Sequence, residues 1–267
     1  MIENIDIDKS IHENFKKLSR GLMQHSYPVT FEAHKNLYEI GTPVIPFLKE
    51  KILEVDYSNS NYKELSGYIS GLYSLLHDLN EDVALSICEK VISNGCPKHI
   101  KAILKSVNQF SVKNYKRYQV RGIEIFQHKL VNAKCDIGYY LNTWMGNIPE
   151  DDLNYISRIY VVTREKIDAA GTYTPQINAI ALLWDNAYKD RSIPFWFFNL
   201  FTEKVFYHEI GHHRHHHKFG TDPDQEKEAD KYAFRIMRKS HPFFYLFVGF
   251  LSKCGLRCNR NYYRWGL

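Results

Sequence analysis

Two histidines one helical turn apart, His208 and His212, flank a carboxylate at Glu209, and no other residues of the chain are better placed to do chemistry. Four positions apart on a helix, both imidazoles leave the same face and can share one metal ion. Glu209 lies about 100° further round the helix, where it can reach a metal-bound water without being a ligand. Two ligands, a general base and an open coordination position are the requirements of a hydrolytic zinc site. The expected cofactor is a single Zn2+ ion.

The segments around these residues must bury and complete the site. On the His208 helix, Phe201 and Val205 share the histidine face, while Phe206 and Ile210 occupy the opposite one. A helix apolar on both sides is a buried helix, and a buried His-Glu-His set is costly unless an ion and hydrogen bonds satisfy it. A second helix is signalled by Asp222-Pro223, with Gln225 three residues on, as a capping box with proline at the first helical position. From that start Glu226, Ala229, Asp230, Ala233 and Met237 fall on one stripe. Two carboxylates on a small apolar stripe need a partner, and a metal with histidine ligands supplies one. Glu228 points about 160° away from the stripe. Glu226 is therefore the expected third ligand, and Asp230 the acceptor for the outer nitrogen of a ligand histidine.

His208-Glu-Ile-Gly-His212 followed by Glu226-x-x-Ala-Asp230 and Ala233 resembles the gluzincin metallopeptidases, most of all the compact ImmA/IrrE-type branch. The resemblance spans roughly residues 155–240. It implies a small sheet with an HExxH helix and a glutamate helix, zinc on His208, His212 and Glu226, and an edge strand that pairs with substrate backbone. Residues 178–183 look like that edge strand. No helix-turn-helix accompanies the motif, so the repressor-cleaving role of that branch does not carry over. Rival zinc patterns fit less well. A metzincin asks for glycine and histidine where this chain has His215 and Lys218, and an aspzincin asks for aspartate at Pro223.

The first 110 residues have a different texture. Leu37, Ile40, Val44, Leu48 and Ile52 recur 39 positions later as Leu76, Leu79, Val83, Ile87 and Val91, with turns at Gly41-Thr42-Pro43 and Asn80-Glu81-Asp82. Helical pairs at this period resemble HEAT repeats, and further helices near 10–25 and 98–108 are expected to complete the layer. After about residue 115, residues 118–126, 158–163 and 176–184 read as strands, with a helix near 133–145. Helices follow at 194–218, 223–239 and 243–253. The expected fold is thus helix-rich α+β, with a HEAT-like domain over 1–115 and a zincin-type metallopeptidase domain over 116–267.

Composition sets the remaining bounds. Apolar residues at 44% and aromatics at 15% describe a globular chain. Five scattered cysteines argue for a reducing compartment; Cys254 and Cys258 form a weak metal or redox spacing. The start of the chain is acidic and lacks an apolar leader, and the longest apolar run, Phe243 to Leu251, is short of the roughly 20 residues a membrane span needs. A cytoplasmic location is expected, with no transmembrane segment. The later histidines of the run 212–217 read as an exposed helix end, and His213, His215, Tyr173 and Tyr232 as equivalent candidates for a transition-state donor.

These readings combine into a zinc metallopeptidase acting on a protein or peptide, with Glu209 as base and the helical N-terminal domain as a partner-docking surface. The alternative is a HEAT-like protein-interaction module with a structural or inactive zinc site, its fourth position filled by a side chain such as His213. Nucleic-acid binding through the basic, aromatic end (Arg257, Arg260, Arg264, Trp265) is disfavoured because no wider basic stripe accompanies it.

Overall fold

The structure, a computed structural model, describes residues 2–24, 26–57, 62–131, 136–175, 177–184, 194–217 and 222–243. The chain forms two compact units, Met1–Tyr115 with Gln176–Asn178, and Lys116–Pro175 with Ala179–Leu267. The expected helix at 243–253, Cys135, the Cys254/Cys258 pair and the basic end lie outside the described residues, apart from Phe243.

The first unit is helical: α1 (Ile2–Gln24), α2 (Tyr27–Ile40), α3 (Ile45–Leu53), α4 (Tyr62–Leu79), α5 (Glu81–Ser93) and α6 (Lys98–Asn108). Gly41, at φ 80°, ends α2 and admits the short 3-10 turn Thr42–Val44 that leads into α3. Asn80 caps α5, its side chain accepting the Val83 amide at 3.0 Å, and Glu81 and Asp82 in the first turn suit the helix dipole. The positions that recur at an offset of 39 therefore fall at matching places in two helix–turn–helix pairs, α2/α3 and α4/α5. Leu37, Leu48, Ile52, Leu76, Ile87 and Val91 are all buried in one core. Across that core the Tyr73 hydroxyl donates to Asn108 Oδ1 at 2.7 Å.

The second unit is a mixed five-stranded sheet with helices: β1 (Tyr115–Val120), β2 (Ile123–His128), α7 (Ile137–Gly146), β3 (Arg158–Val162), β4 (Gly171–Thr174), β5 (Ala179–Leu183), α8 (Phe195–Arg214) and α9 (Pro223–Ser240). The strand order is β1-β2-β3-β5-β4, with β3 parallel to both β2 and β5, and β4 antiparallel to β5. Two expectations need correction. Residues 118–126 are not one strand but parts of β1 and β2 joined by a hairpin turn, because Arg121 (φ 49°) and Gly122 (φ 79°) both take the positive φ of a two-residue turn. Residues 178–183 are not the edge either: β5 is internal and buried throughout, and among the described residues the edge strand next to it is β4. Gly171-Thr-Tyr-Thr174, opened by glycine and followed by Pro175, has the composition of a turn, yet pairs in register with Ala179–Leu182.

Alternate residues Ile159 and Val161 of β3, and Ile180 and Leu182 of β5, join Leu141, Trp144 and Met145 of α7 and Phe206 and Ile210 of α8 in the second core. That core holds α8 in place by its apolar face, and α8 in turn packs against β4, β5 and α9. No helix among the described residues is long and apolar enough to cross a membrane.

Candidate metal centre

Helix α8 carries His208, Glu209 and His212, and α9 carries Glu226 and Asp230. The two helices cross at Gly211. A Cβ there would lie 2.8 Å from the Ala229 Cα and 3.0 Å from its carbonyl oxygen, so only glycine permits this approach. The close crossing brings Glu226 across from the histidines. Asp222 caps α9 as its spacing suggests, although its carboxylate accepts the Asp224 amide, at 2.9 Å, and not the amide one residue further on. Along α9, Ala229, Ala233 and Met237 are buried while Glu226 and Asp230 are half-buried, as a stripe facing a shared site should be.

Three ligand atoms converge. His208 Nε2 and His212 Nε2 are 3.0 Å apart, and Glu226 offers Oε2 at 3.2 Å from the first and Oε1 at 3.3 Å from the second. Bonds of about 2.0–2.1 Å at the tetrahedral angle would put ligand atoms about 3.3 Å apart. His208 Nδ1 faces Asp230 Oδ1 at 3.2 Å. A carboxylate only accepts, so Nδ1 carries the proton and Nε2 presents a lone pair. Bare nitrogens and a carboxylate at such distances repel unless a cation or a shared proton lies among them. The donor set thus fits a small divalent ion, and His208, His212 and Glu226 form a group that could hold one.

Electrostatics follow from the crowding. Burial and the neighbouring His208 and His217 push the His212 imidazole down to about 4. Burial opposes charge on His208 too, but Asp230, Glu209 and Glu226 outweigh it and hold its value above the ordinary one. Asp230 is lowered, first by its bond with His208 and also by Lys204, whose Nζ is 3.5 Å away. Glu209 is buried at 6% exposure, and burial raises its carboxyl to about 7, against the pull of His208. The edge strand lies beside it: the Tyr173 backbone amide bonds the Glu209 carboxylate. A Cβ at Gly171 would come within 2.8 Å of its Oε1.

The later histidines divide. Arg214, His215 and His216 are exposed, as a helix end should be, but His213 and His217 are buried, at 4% and 6% exposure. His213 Nε2 donates to the Asn154 carbonyl at 2.8 Å, so its Nδ1 accepts the Tyr173 hydroxyl at 3.0 Å. Both nitrogens are engaged away from the ligand trio, which weighs against His213 as a further ligand. Tyr232 is likewise committed: its hydroxyl donates to Asp152 Oδ2 at 2.8 Å, and Arg214 Nε holds Oδ1 at 2.6 Å. It is a core tie, not a donor toward the site. Glu228 points away from the trio and bonds His217. His217, Asp152 and the strand β4 were not foreseen. Their positions depend on chain reversals that periodicity does not encode.

Comparison with protein-family models, with curated proteins and with solved structures finds no match to this chain.

Proposed function

We propose that the second unit is a zinc-dependent hydrolase, a metallopeptidase, with His208, His212 and Glu226 as ligands and Glu209 as general base. The observation that carries this reading is the convergence of two imidazole lone pairs and one carboxylate within 3.3 Å, beside a buried carboxyl that is not one of them. A zinc ion in such a set supplies a Lewis acid that acidifies water and polarises a carbonyl.

The chain's own groups do the rest. Glu209, raised to about 7 by burial, can take a proton at its carboxylate and return it to a leaving amine near neutral pH. The Tyr173 amide and the crowded approach of Gly171 restrict the carboxyl to one orientation. Asp230 and Lys204 keep the His208 ring turned with Nε2 inward. Among the described residues β4 ends the sheet beside this carboxyl, and an extended peptide laid along that edge would run past Glu209, which favours a peptide substrate.

The test is metal content and hydrolysis measured side by side. Glu209→Gln should bind one zinc per chain and lose hydrolysis of a casein or peptide-library substrate, while His208→Ala and Glu226→Ala should lose stoichiometric zinc. Retention of zinc by both alanine variants would refute the assignment.

A further inference from the structure

Helix α8 does not simply fray at its end. The His217 amide bonds the His212 carbonyl at 3.0 Å, and the His216 amide bonds the His213 carbonyl at 3.1 Å. This 6→1 and 5→2 pair is a Schellman cap, with His216 at the left-handed position (φ 55°) that glycine usually fills. In such a cap the side chain after the left-handed residue commonly makes an apolar contact with the residue five before it. Here those two residues are His217 and His212, and the contact is a hydrogen bond, Nδ1 to Nδ1 at 2.8 Å. On its far side His217 Nε2 lies 3.0 Å from Glu228 Oε2 on α9.

The direction of the chain of bonds can be read outward in. Glu228 accepts, so His217 Nε2 carries a proton, and the neutral ring then accepts at Nδ1. His212 Nδ1 must then donate, which leaves His212 Nε2 as a bare lone pair facing His208 and Glu226. We propose that His217 and Glu228 are positioning residues of the metal site, a carboxylate–imidazole relay that fixes the tautomer and ring angle of His212. The proposal rests on the reading that His208, His212 and Glu226 hold the metal. It gives each histidine ligand its own carboxylate from α9: Asp230 directly on His208, and Glu228 through His217 on His212. A Schellman cap usually carries glycine at the left-handed position and an apolar side chain after it; here both are histidines, and the second is bonded between His212 and Glu228.

The experiment is zinc affinity of the full-length chain, by competition with a chromogenic chelator, together with the unfolding midpoint of the metal-free protein. His217→Leu keeps the apolar contact of a Schellman cap but removes the relay; its zinc affinity should fall about 10–100-fold with the metal-free midpoint unchanged. His217→Gln can accept from His212 and donate to Glu228, and should return the affinity to within about threefold of the parent. Glu228→Ala, at an exposed position, should weaken binding in the same direction and keeps the test decisive if the leucine chain folds poorly. Parental affinity in His217→Leu or Glu228→Ala, with His208→Ala still losing zinc, overturns the relay alone. Stoichiometric zinc in His208→Ala overturns the site reading beneath it.

Discussion

Replacing Glu209 by glutamine should stabilise the metal-free protein, and the gain should grow with pH. The wild-type carboxyl is buried and raised to about 7 from an ordinary 4.5. A raised carboxyl binds its proton more tightly in the folded chain than in the unfolded one, so folding stability falls as pH climbs through that window. The linkage integral puts the penalty at about 1 kcal/mol at pH 5 and about 3 kcal/mol at pH 8. Glutamine keeps the shape and the acceptor for the Tyr173 amide but never ionises. The stability difference between Glu209→Gln and wild type should therefore widen by about 2 kcal/mol from pH 5 to pH 8. Denaturant unfolding followed by tryptophan fluorescence is the suitable assay, because all four tryptophans (Trp144, Trp184, Trp196, Trp265) lie after residue 115 and report on the second unit. Added zinc should narrow the gap, since a cation beside the carboxylate favours its charged form. A difference that does not change with pH would refute the claim that Glu209 ionises in a buried setting.

Three other perturbations separate the parts of the fold. Gly211→Ala places a Cβ 2.8 Å from the Ala229 backbone, and should cost about 1–3 kcal/mol and weaken zinc binding with every ligand still present; equilibrium dialysis and thermal unfolding check both. His216→Gly relieves the left-handed strain at φ 55° and should raise the metal-free midpoint by about 1 kcal/mol of stability without changing zinc affinity. Leu48→Ala and Ile87→Ala, at matching buried sites of the two helix pairs, should each destabilise the first unit by about 2–5 kcal/mol, read by circular dichroism at 222 nm.

The elements that follow a period were legible before any coordinates. Helices α6, α8 and α9 lie within a few residues of where apolar spacing, caps and proline put them, and β3 matches its β-branched run. The two helix pairs of the first unit were visible as a repeated pattern of buried positions. Misreadings cluster where one or two residues reverse the chain. The hairpin at Arg121-Gly122 was hidden because arginine at positive φ leaves no compositional mark. Strand β4 was hidden because its four residues carry turn chemistry and earn their pairing from β5, a long-range contact.

The site divides in the same way, and the division has a physical cause. His208, Glu209, His212, Glu226 and Asp230 sit on straight helices, so their angular phase is fixed by residue count alone, and phase is enough to set Glu226, not Glu228, beside the two histidines. His217 lies one residue past a left-handed turn, where helical phase no longer applies. A count of 3.6 residues per turn carried beyond His216 turns His217 away from His212, whereas the Schellman cap folds it back to 2.8 Å. In the proposed relay Glu228 takes a role that its angle on α9 does not suggest, because its partner is not the His208–His212–Glu226 group but His217 behind it. Residues that bind a metal directly must share a face and so can be phased. Residues that orient those ligands approach from behind, on chain that has already left the helix, and are found only through the backbone turn that brings them there.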